Sequence, residues 1–209
     1  KTIRLAFLCS AFNEEGNLME LHRRCREVHA QLEKEYSDQV DLRFHMVVAD
    51  NGSEDSTLLV LEDIKRRDPA LDVLIHRRNY GVEASGGNLI AQAKNFDISV
   101  CLCSDLQDPP ELALSMVRSL LDRPKIDAVL AVKKKSTGGL LHQAGRSLYY
   151  KALRFTSRSG EIQNGYHGFG CYRQSVMEEA ASLWERTNLS ARQCLVNACR
   201  EPILMEYIQ

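Results

Sequence analysis

The sequence predicts an α/β fold in which a mostly parallel β-sheet carries helices on both faces. Through residues 1–135, apolar strand-like segments alternate with amphipathic helix-like segments. That alternation is typical of parallel sheets, because each parallel strand needs a crossover connection to the next. The chain has 209 residues, of which 44% are apolar and 26% charged. This is enough apolar chain to form a hydrophobic core.

The predicted strands have the nearly continuous apolar character of strands buried on both faces. The first is interrupted only by Arg4. Polar, turn-forming residues follow the strands and mark where they end. The predicted strands of the first half are 3–9, 42–49, 72–76, 98–103 and 128–132.

The segments between these strands repeat apolar residues every three or four positions, which is the spacing of one helix face. Asp55 is placed to cap the second helix, and Pro110 suits the first turn of the fourth. Gly86 and Gly87 are expected to weaken the third helix. The predicted helices are 18–36, 55–67, 82–94 and one that begins near residue 110.

The second half has a different pattern. A basic loop at 133–135 precedes a predicted helix at 140–158, and a segment rich in glycine and aromatic residues at 165–172 is assigned to neither helix nor strand. Two further helices, near 175–186 and 190–200, precede a strand-like segment at 202–207. We expect residues 1–209 to form a single domain.

Charge and cysteine content limit the classes of function. The chain has 27 lysines and arginines against 28 acidic residues, so its net charge is -1. We therefore expect no nucleic-acid partner. No apolar run approaches the ~18 residues of a membrane span, and no signal peptide is recognisable. The seven cysteines lie in apolar stretches, as reduced intracellular cysteines do. Cys101 and Cys103 allow a zinc pair as an alternative, but their spacing is short and no Cys/His pair follows.

Polar clusters follow three of the predicted strands, at the edge where parallel α/β sheets bind ligands. After the fourth strand, Asp105 and Gln107 offer oxygens that suit a hard cation such as Mg²⁺ or Mn²⁺. After the second, Asp50 can accept hydrogen bonds from a nucleobase or ribose, and the helix start can attract an anion. After the first, Phe12 can support a base. Each cluster can equally be a capped turn with no ligand.

Taken together and in this order, the clusters resemble glycosyltransferase family 2, whose members have the Rossmann-like, nucleotide-sugar-binding GT-A fold. Within this family, the chain resembles the bacterial polyprenyl-phosphate glycosyltransferases and the dolichol-phosphate mannosyltransferases. The resemblance spans almost the whole chain. The segments that carry it are Ser10-Ala11-Phe12-Asn13-Glu14, Asp50-Asn51-Gly52-Ser53-Glu54-Asp55-Ser56-Thr57, Arg78-Asn79-Tyr80-Gly81, Cys103-Ser104-Asp105-Leu106-Gln107-Asp108-Pro109-Pro110-Glu111 and Tyr166-His167-Gly168-Phe169-Gly170-Cys171-Tyr172.

The resemblance implies a role for each part of the chain. Residues 1–135 would form the nucleotide-sugar-binding half and 136–209 the acceptor-side half. Asp105 and Gln107 would hold Mg²⁺ or Mn²⁺, and Asp105 would be a catalytic residue. His167 is the second catalytic candidate, but its own position suggests that role and the family pattern does not. The basic segment 133–135 and Arg146 can meet phosphates, although such charges are usually just solvated. The residues implied to bind the nucleotide sugar are Ser10, Phe12, Glu14, Asp50, Gly52, Asn79, Gly81 and Ser104.

Departures from the family pattern change these expectations. Cys103 replaces the first carboxylate of the metal motif, and Val82 replaces a lysine that would contact phosphate. No aspartate base lies near the glycine-rich segment, where His167 is the candidate base and a plain loop histidine is the alternative. A phosphate acceptor, with a second pKa of ~6, is already largely ionised at pH 7 and needs little help from a base.

The expected function is that of an inverting glycosyltransferase. It would move a sugar from a nucleotide-diphospho-sugar, most simply a UDP-sugar, to a polyprenyl phosphate or another membrane-linked glycan at the cytoplasmic face of the membrane. Family members usually continue past a segment like 203–208, and many add membrane helices, so membrane contact is expected through such a segment. One alternative is a catalytically weak nucleotide-sugar-binding module of the same fold. A receiver-like domain is another, but the long second half fits it poorly.

Overall fold

The computed structural model describes residues 1–133 and 166–208. The predicted helix at 140–158, most of the basic loop and Arg146 lie outside the described residues. None of the described helices is both long enough and apolar enough to cross a membrane. The elements are β1 (Thr2–Ala11), α1 (Leu18–Tyr36), β2 (Asp41–Asp50), α2 (Thr57–Arg67), β3 (Leu71–Ile75), α3 (Val82–Ala93), β4 (Ile98–Cys101), α4 (Leu112–Asp122), β5 (Ala128–Lys133), β6 (Tyr166–Arg173), α5 (Gln174–Arg186), α6 (Ala191–Ala198) and β7 (Pro202–Tyr207).

The described strands form one mixed sheet in the order β3-β2-β1-β4-β6-β5-β7. Every neighbouring pair is parallel except the two that involve β6, which runs antiparallel to both β4 and β5. The predicted mostly parallel α/β sheet is therefore confirmed. The segment 165–172 was not predicted as a strand, and the structure corrects this for residues 166–172. Its Phe169 and Tyr172 are buried within the protein.

The helices cover both faces of the sheet, as predicted. Helices α1, α2 and α4 pack with Phe7 and Val48 on one face. Helices α3, α5 and α6 pack with Leu8 and Ala49 on the other. Neighbouring residues of a strand point to opposite faces, so strands buried on both sides read as continuous apolar runs in the sequence.

The glycine pair in α3 allows close packing between helices. A Cβ atom on Gly87 would lie 2.1 Å from the Trp184 ring of α5, and one on Gly86 would lie 2.9 Å from the Cβ atom of Ala191 in α6. Real Cβ atoms essentially never come so close. The two glycines do lower the helix propensity of α3, as the sequence predicts, but they also let α5 and α6 approach it.

We expect Gly87→Ala to destabilise the protein. Alanine favours an isolated helix by about 1 kcal/mol over glycine, but forcing a methyl group into a packed contact costs roughly 1–3 kcal/mol. The net loss should be about 1 kcal/mol or more, measured by urea unfolding. Gly16→Ala is the control, because a Cβ atom there meets nothing within 4 Å. A Gly87→Ala protein as stable as the wild type would contradict this packing.

A buried carboxylate joins α1 to the end of α2. Asp68 accepts hydrogen bonds from Arg26 Nε (2.6 Å) and from the backbone N–H of Ala70 (3.1 Å), and His22 Nε2 lies 2.7 Å from it. Only 10% of the Asp68 side chain is exposed. Burial raises the pKa of this carboxyl, but the hydrogen bonds from Arg26 and His22 outweigh burial and hold the pKa at about 2.

This low pKa predicts a pH-dependent stability. A carboxyl whose pKa falls from 3.8 to about 2 on folding stabilises the folded state by about 2 kcal/mol at neutral pH. Because the pKa is depressed, this contribution is present above pH 4 and is lost as the pH falls towards 2. Urea unfolding of wild type and Asp68→Asn should therefore differ at pH 7 and converge below pH 4. Asp38→Asn is the control, because Asp38 is exposed. Its stability relative to the wild type should not change with pH. A difference that persists unchanged at pH 3 would contradict the assignment.

Candidate functional site

A cleft of about 570 Å³ opens at the carboxyl end of the central strands. The chain proceeds from β1 outwards to β3, and then returns to place β4 on the other side of β1. Such a reversal leaves a crevice beyond the strand ends, where α/β sheets bind ligands. The predicted residues that line the cleft are Ser10, Phe12, Glu14, Asn79, Gly81, Ser104, Asp105 and His167.

A side-chain hydrogen bond joins the ends of the two central strands. The Ser104 hydroxyl donates to the carbonyl of Ser10 (2.8 Å), and the backbone N–H of Leu102 donates to the carbonyl of Leu8 (3.1 Å). The chain leaves the sheet just after Leu102, so β4 ends two residues before the predicted strand. Ser104 thus fixes the loop that carries Asp105 against β1.

The loop after β1 presents an aromatic ring and a carboxylate. Phe12 is 40% exposed although it is a large apolar residue, and it lines the cleft beside Glu14. The backbone N–H of Glu14 donates to the Thr57 hydroxyl (2.8 Å), and the Glu14 carboxylate accepts from Asn17 Nδ2 (2.7 Å). These bonds fix the loop to the start of α2 and leave the Phe12 ring facing the cleft.

The structure separates Asp50 from the residues that line the cleft. Asp50 is fully buried at the end of β2, and Ser53 donates its backbone N–H to it at 3.3 Å. The neighbouring Asn51 lines the cleft instead. Asn51 donates to Asn79 Oδ1 (2.8 Å) and accepts the backbone N–H of Tyr80 (3.0 Å). Sequence reasoning did not single out Asn51, although it lies in one of the segments that carry the family resemblance.

Gly52 supports the loop that carries Asn79 and does not line the cleft. Its φ is +74°, and a Cβ atom would lie 2.5 Å from the Arg78 carbonyl carbon and 2.8 Å from the Asn79 nitrogen. The backbone of the loop at 78–79 therefore rests directly on Gly52. Asp55 was predicted to cap α2, but the helix begins two residues later, at Thr57, with Ser56 at the N-cap position. Asp55 does accept the backbone N–H of Thr57 (2.9 Å).

The close approach at Gly52 can be tested against Gly81. Both glycines have positive φ, but a Cβ atom on Gly81 would meet nothing within 4 Å. Alanine at either site incurs roughly 1–3 kcal/mol for a positive-φ backbone conformation that favours glycine, and only Gly52→Ala also clashes with backbone. We expect Gly52→Ala to lower the free energy of unfolding by about 1 kcal/mol more than Gly81→Ala, measured by denaturant titration. Equal losses would mean that the loop moves aside freely.

The loop after β4 provides one carboxylate for a cation. Asp105 is half-buried and lines the cleft. It accepts the backbone N–H of Gln107 (3.1 Å) and forms no ion pair with any described residue. The Gln107 side chain is exposed and lies outside the lining. Among residues 1–133 and 166–208, no group of three or more His, Cys, Asp or Glu side chains is placed to hold a metal. Because Mg²⁺ is commonly held by one or two carboxylates together with substrate phosphates, Asp105 fits such an ion.

Asp108 stabilises the loop that carries Asp105 through two hydrogen bonds. It is buried, and it accepts the backbone N–H of Cys103 (3.3 Å) and the hydroxyl of Tyr207 on β7 (2.8 Å). Although Cys103 keeps an exposed surface, the protein atoms around its thiol and the Asp108 carboxylate both raise its pKa. The thiol is therefore protonated at neutral pH and is a poor ligand for Mg²⁺.

The opposite side of the cleft comes from β6, α3 and α6. Because β6 is antiparallel, its first residues reach the carboxyl edge of the other strands, and His167 and Gly168 line the cleft there. Arg192, in the first turn of α6, also lines it. Sequence reasoning missed Arg192. The capping box of Ser190 and Gln193 marks where the helix starts, but nothing in the sequence shows that this helix reaches the cleft.

Comparison with known proteins agrees with this geometry. The model of the family described as "Glycosyl transferase family 2" matches residues 8–180. The chain belongs to glycosyl transferase family 2. This confirms the resemblance stated from the motifs.

Curated relatives of this family 2 chain are about 30% identical to it. The "Uncharacterized glycosyltransferase YkcC" of Bacillus subtilis is 28% identical over 88% of this chain and 54% of its own length. An "Undecaprenyl-phosphate 4-deoxy-4-formamido-L-arabinose transferase" of Pseudomonas fluorescens (strain Pf0-1) is 32% identical over 88% of this chain and 51% of its own length. The chain thus spans only about half the length of these relatives.

Solved structures share the GT-A fold at low identity. The family 2 chain matches Staphylococcus aureus TarS 1-349 in complex with UDP with a TM-score of 0.64 and 16% identity, over 99% of this chain and 61% of the other. It matches the mannosyltransferase PcManGT from Pyrobaculum calidifontis, in complex with GDP-Man and Mn²⁺, with a TM-score of 0.61 and 16% identity, over 100% and 57% of the two chains.

Proposed function

We propose that this family 2 protein transfers a sugar, with inversion, from a UDP-sugar to a polyprenyl phosphate or another membrane-linked acceptor. The observation that carries the proposal is the cleft at the β1–β4 reversal, where Phe12 and Glu14 of one loop meet Asp105 of another. In this proposal, residues 1–135 bind the donor, residues 136–209 complete the acceptor side, and the protein acts at the cytoplasmic face of the membrane.

The proposed donor site lies between the loops that follow β1, β2, β3 and β4. The exposed Phe12 ring supports the base, and Ser10 and Glu14 lie around the nucleoside with Ser104 and Asn79. Asp50 and Gly52 support this site without lining it. Asp50 is buried, and Gly52 supports the loop that carries Asn79. The choice of UDP is supported by the solved complex of TarS with UDP, whereas PcManGT was solved with GDP-Man.

Mg²⁺ or Mn²⁺ would be held by Asp105, with Gln107 as a second proposed ligand. When bound, such an ion offsets the charge that develops on the leaving diphosphate. The loop is already fixed by Asp108 and Ser104, so Asp105 needs little rearrangement to meet a cation. The fit is that of a weak site, because the protonated Cys103 thiol adds no charge to it.

The acceptor is proposed to be a phosphate. The Pseudomonas fluorescens relative is named as an undecaprenyl-phosphate sugar transferase, and the glycine-rich segment 165–172 contains no aspartate that would act as a base. A phosphate monoester is largely ionised at pH 7 and can attack the anomeric carbon without losing a proton. His167 is the proposed base for any acceptor that attacks through a hydroxyl group.

Nucleotide binding tests the donor site. In calorimetric titrations with Mn²⁺, we expect UDP to bind more tightly than GDP, and EDTA or Asp105→Asn to weaken UDP binding by about tenfold or more. The exposed Asp72→Asn serves as the control and should leave the affinity unchanged. Failure of both nucleotides to bind wild type, with and without Mn²⁺, would count decisively against the proposal.

A substitution at Cys103 tests the cation site by adding a ligand, whereas Asp105→Asn removes one. Cys103→Asp adds a second carboxylate beside Asp105, so we expect Mn²⁺-dependent UDP affinity to rise by roughly tenfold. Cys103→Ser is the matched control, since it changes the side chain without adding charge, and it should leave the affinity unchanged. If both variants bind UDP like the wild type in Mn²⁺, position 103 does not contact the cation.

The second candidate function is a nucleotide-sugar-binding module with little catalysis. Two departures from the family pattern favour this binding module. Cys103 replaces a carboxylate, and Val82 replaces a lysine. The two candidates differ in turnover. Transfer of radiolabelled sugar from a UDP-sugar to a short polyprenyl phosphate by the unmodified chain would exclude the binding module.

A further inference from the structure

Arg192 differs from the other charged groups of the cleft. It is the only lysine or arginine among the described residues that line the cleft. Its Nε atom is buried and has no hydrogen-bond partner. No described carboxylate forms an ion pair with it. Proteins rarely leave a buried donor unpaired, and such a donor calls for a specific explanation.

One carboxylate of the cleft lies on the helix that packs against the start of α6. Glu83, in the first turn of α3, also lines the cleft, but it accepts the backbone N–H of Ala191 (2.7 Å). This bond joins α3 to the first residue of α6. Glu83 therefore helps to position the first turn of α6, and it forms no ion pair with Arg192.

The surroundings of Arg192 strengthen its attraction for an anion. Leu89, Ile90 and Leu195 line the same cleft, and the close contact of Gly86 with Ala191 brings α3 against α6. Charges near apolar walls are less screened than charges in water. The planar guanidinium of arginine presents its N–H donors in a geometry that matches phosphate oxygens.

We propose that Arg192 binds a phosphoryl oxyanion in the cleft. This rests on the proposed function, because a nucleotide diphosphate and a phosphorylated acceptor are the two phosphate sources that such a cleft would meet. Asp105 on the β4 side would hold phosphate oxygens through a cation, whereas Arg192 on the α6 side would hold them directly. The start of α3 adds no cation of its own, since its first residue is the apolar Val82.

The test compares Arg192→Gln and Arg192→Lys with the control Arg186→Gln, whose side chain is 66% exposed on α5. Binding of inorganic pyrophosphate should weaken roughly ten- to hundredfold in Arg192→Gln and less in Arg192→Lys. The control should bind like the wild type. If Arg192→Gln binds pyrophosphate, UDP and farnesyl phosphate like the wild type, or if the wild type binds none of them, the proposal is overturned.

Paired probes identify the phosphate source. If Arg192 contacts the donor, Arg192→Gln weakens UDP binding but leaves uridine binding unchanged. If Arg192 contacts the acceptor, it weakens binding of farnesyl phosphate but not of farnesol. If Arg192→Gln binds UDP in Mn²⁺ and farnesyl phosphate as tightly as the wild type does, this inference is wrong. The proposed function would remain intact. If the wild type binds pyrophosphate through Arg192 but binds neither UDP nor GDP, the Arg192 site stands and the proposed function is wrong.

A stability measurement separates ligand binding from a structural role. Without a ligand, the unpaired buried donor is a cost to the folded state, so Arg192→Met should unfold at the same or a higher urea concentration than wild type. The same variant should lose pyrophosphate affinity. A Met variant that is clearly less stable would show that Arg192 supports the fold, and it would overturn the proposal.

Discussion

The architecture depends on the parallel pairing of β1 with β2 on one side and β4 on the other. Parallel neighbours need long crossovers, and these become the helices that cover both faces. The pairing also brings the carboxyl ends of the three strands to one edge. Loops that lie up to 94 residues apart in sequence, such as those of Ser10 and Ser104, therefore meet by hydrogen bonding. The cleft is a consequence of this arrangement, since lining residues such as Phe12, Asn51 and Ser104 come from the first positions beyond these strands.

Much of the fold and part of the candidate site could be predicted because their signals are local. Buried strands read as apolar runs, and the polar residues that follow them mark the edge where Phe12 and Asp105 lie. Strand β6 was missed because its glycines and aromatic residues carry no clear period, and its extended form is fixed by pairing with β4 and β5. Arg192 was missed for a similar reason. Its environment is created by α3, which is distant in sequence.

The acidic residues divide into two groups by what surrounds them. Asp68 and Asp108 are buried and receive hydrogen bonds from side chains or backbone, so their charges are committed to the fold. Asp105 is half-buried in the cleft, and no described cation is paired with it. Sequence patterns treat these aspartates alike, because each stands in a turn-like segment. Only the tertiary contacts show which carboxylate is available for a ligand.

The hydrogen bond from Tyr207 to Asp108 has a consequence for the order of assembly. It joins two residues 99 positions apart, and the tyrosine belongs to β7, the last described strand to emerge during synthesis. Closing so long a loop is slow relative to local contacts. A nascent chain can thus form β1, β2 and β4 while Asp108 still lacks this partner. Final ordering of the loop that carries Asp105 waits for β7 to dock at the far edge of the sheet, which delays a complete cleft until nearly all of the described chain has folded.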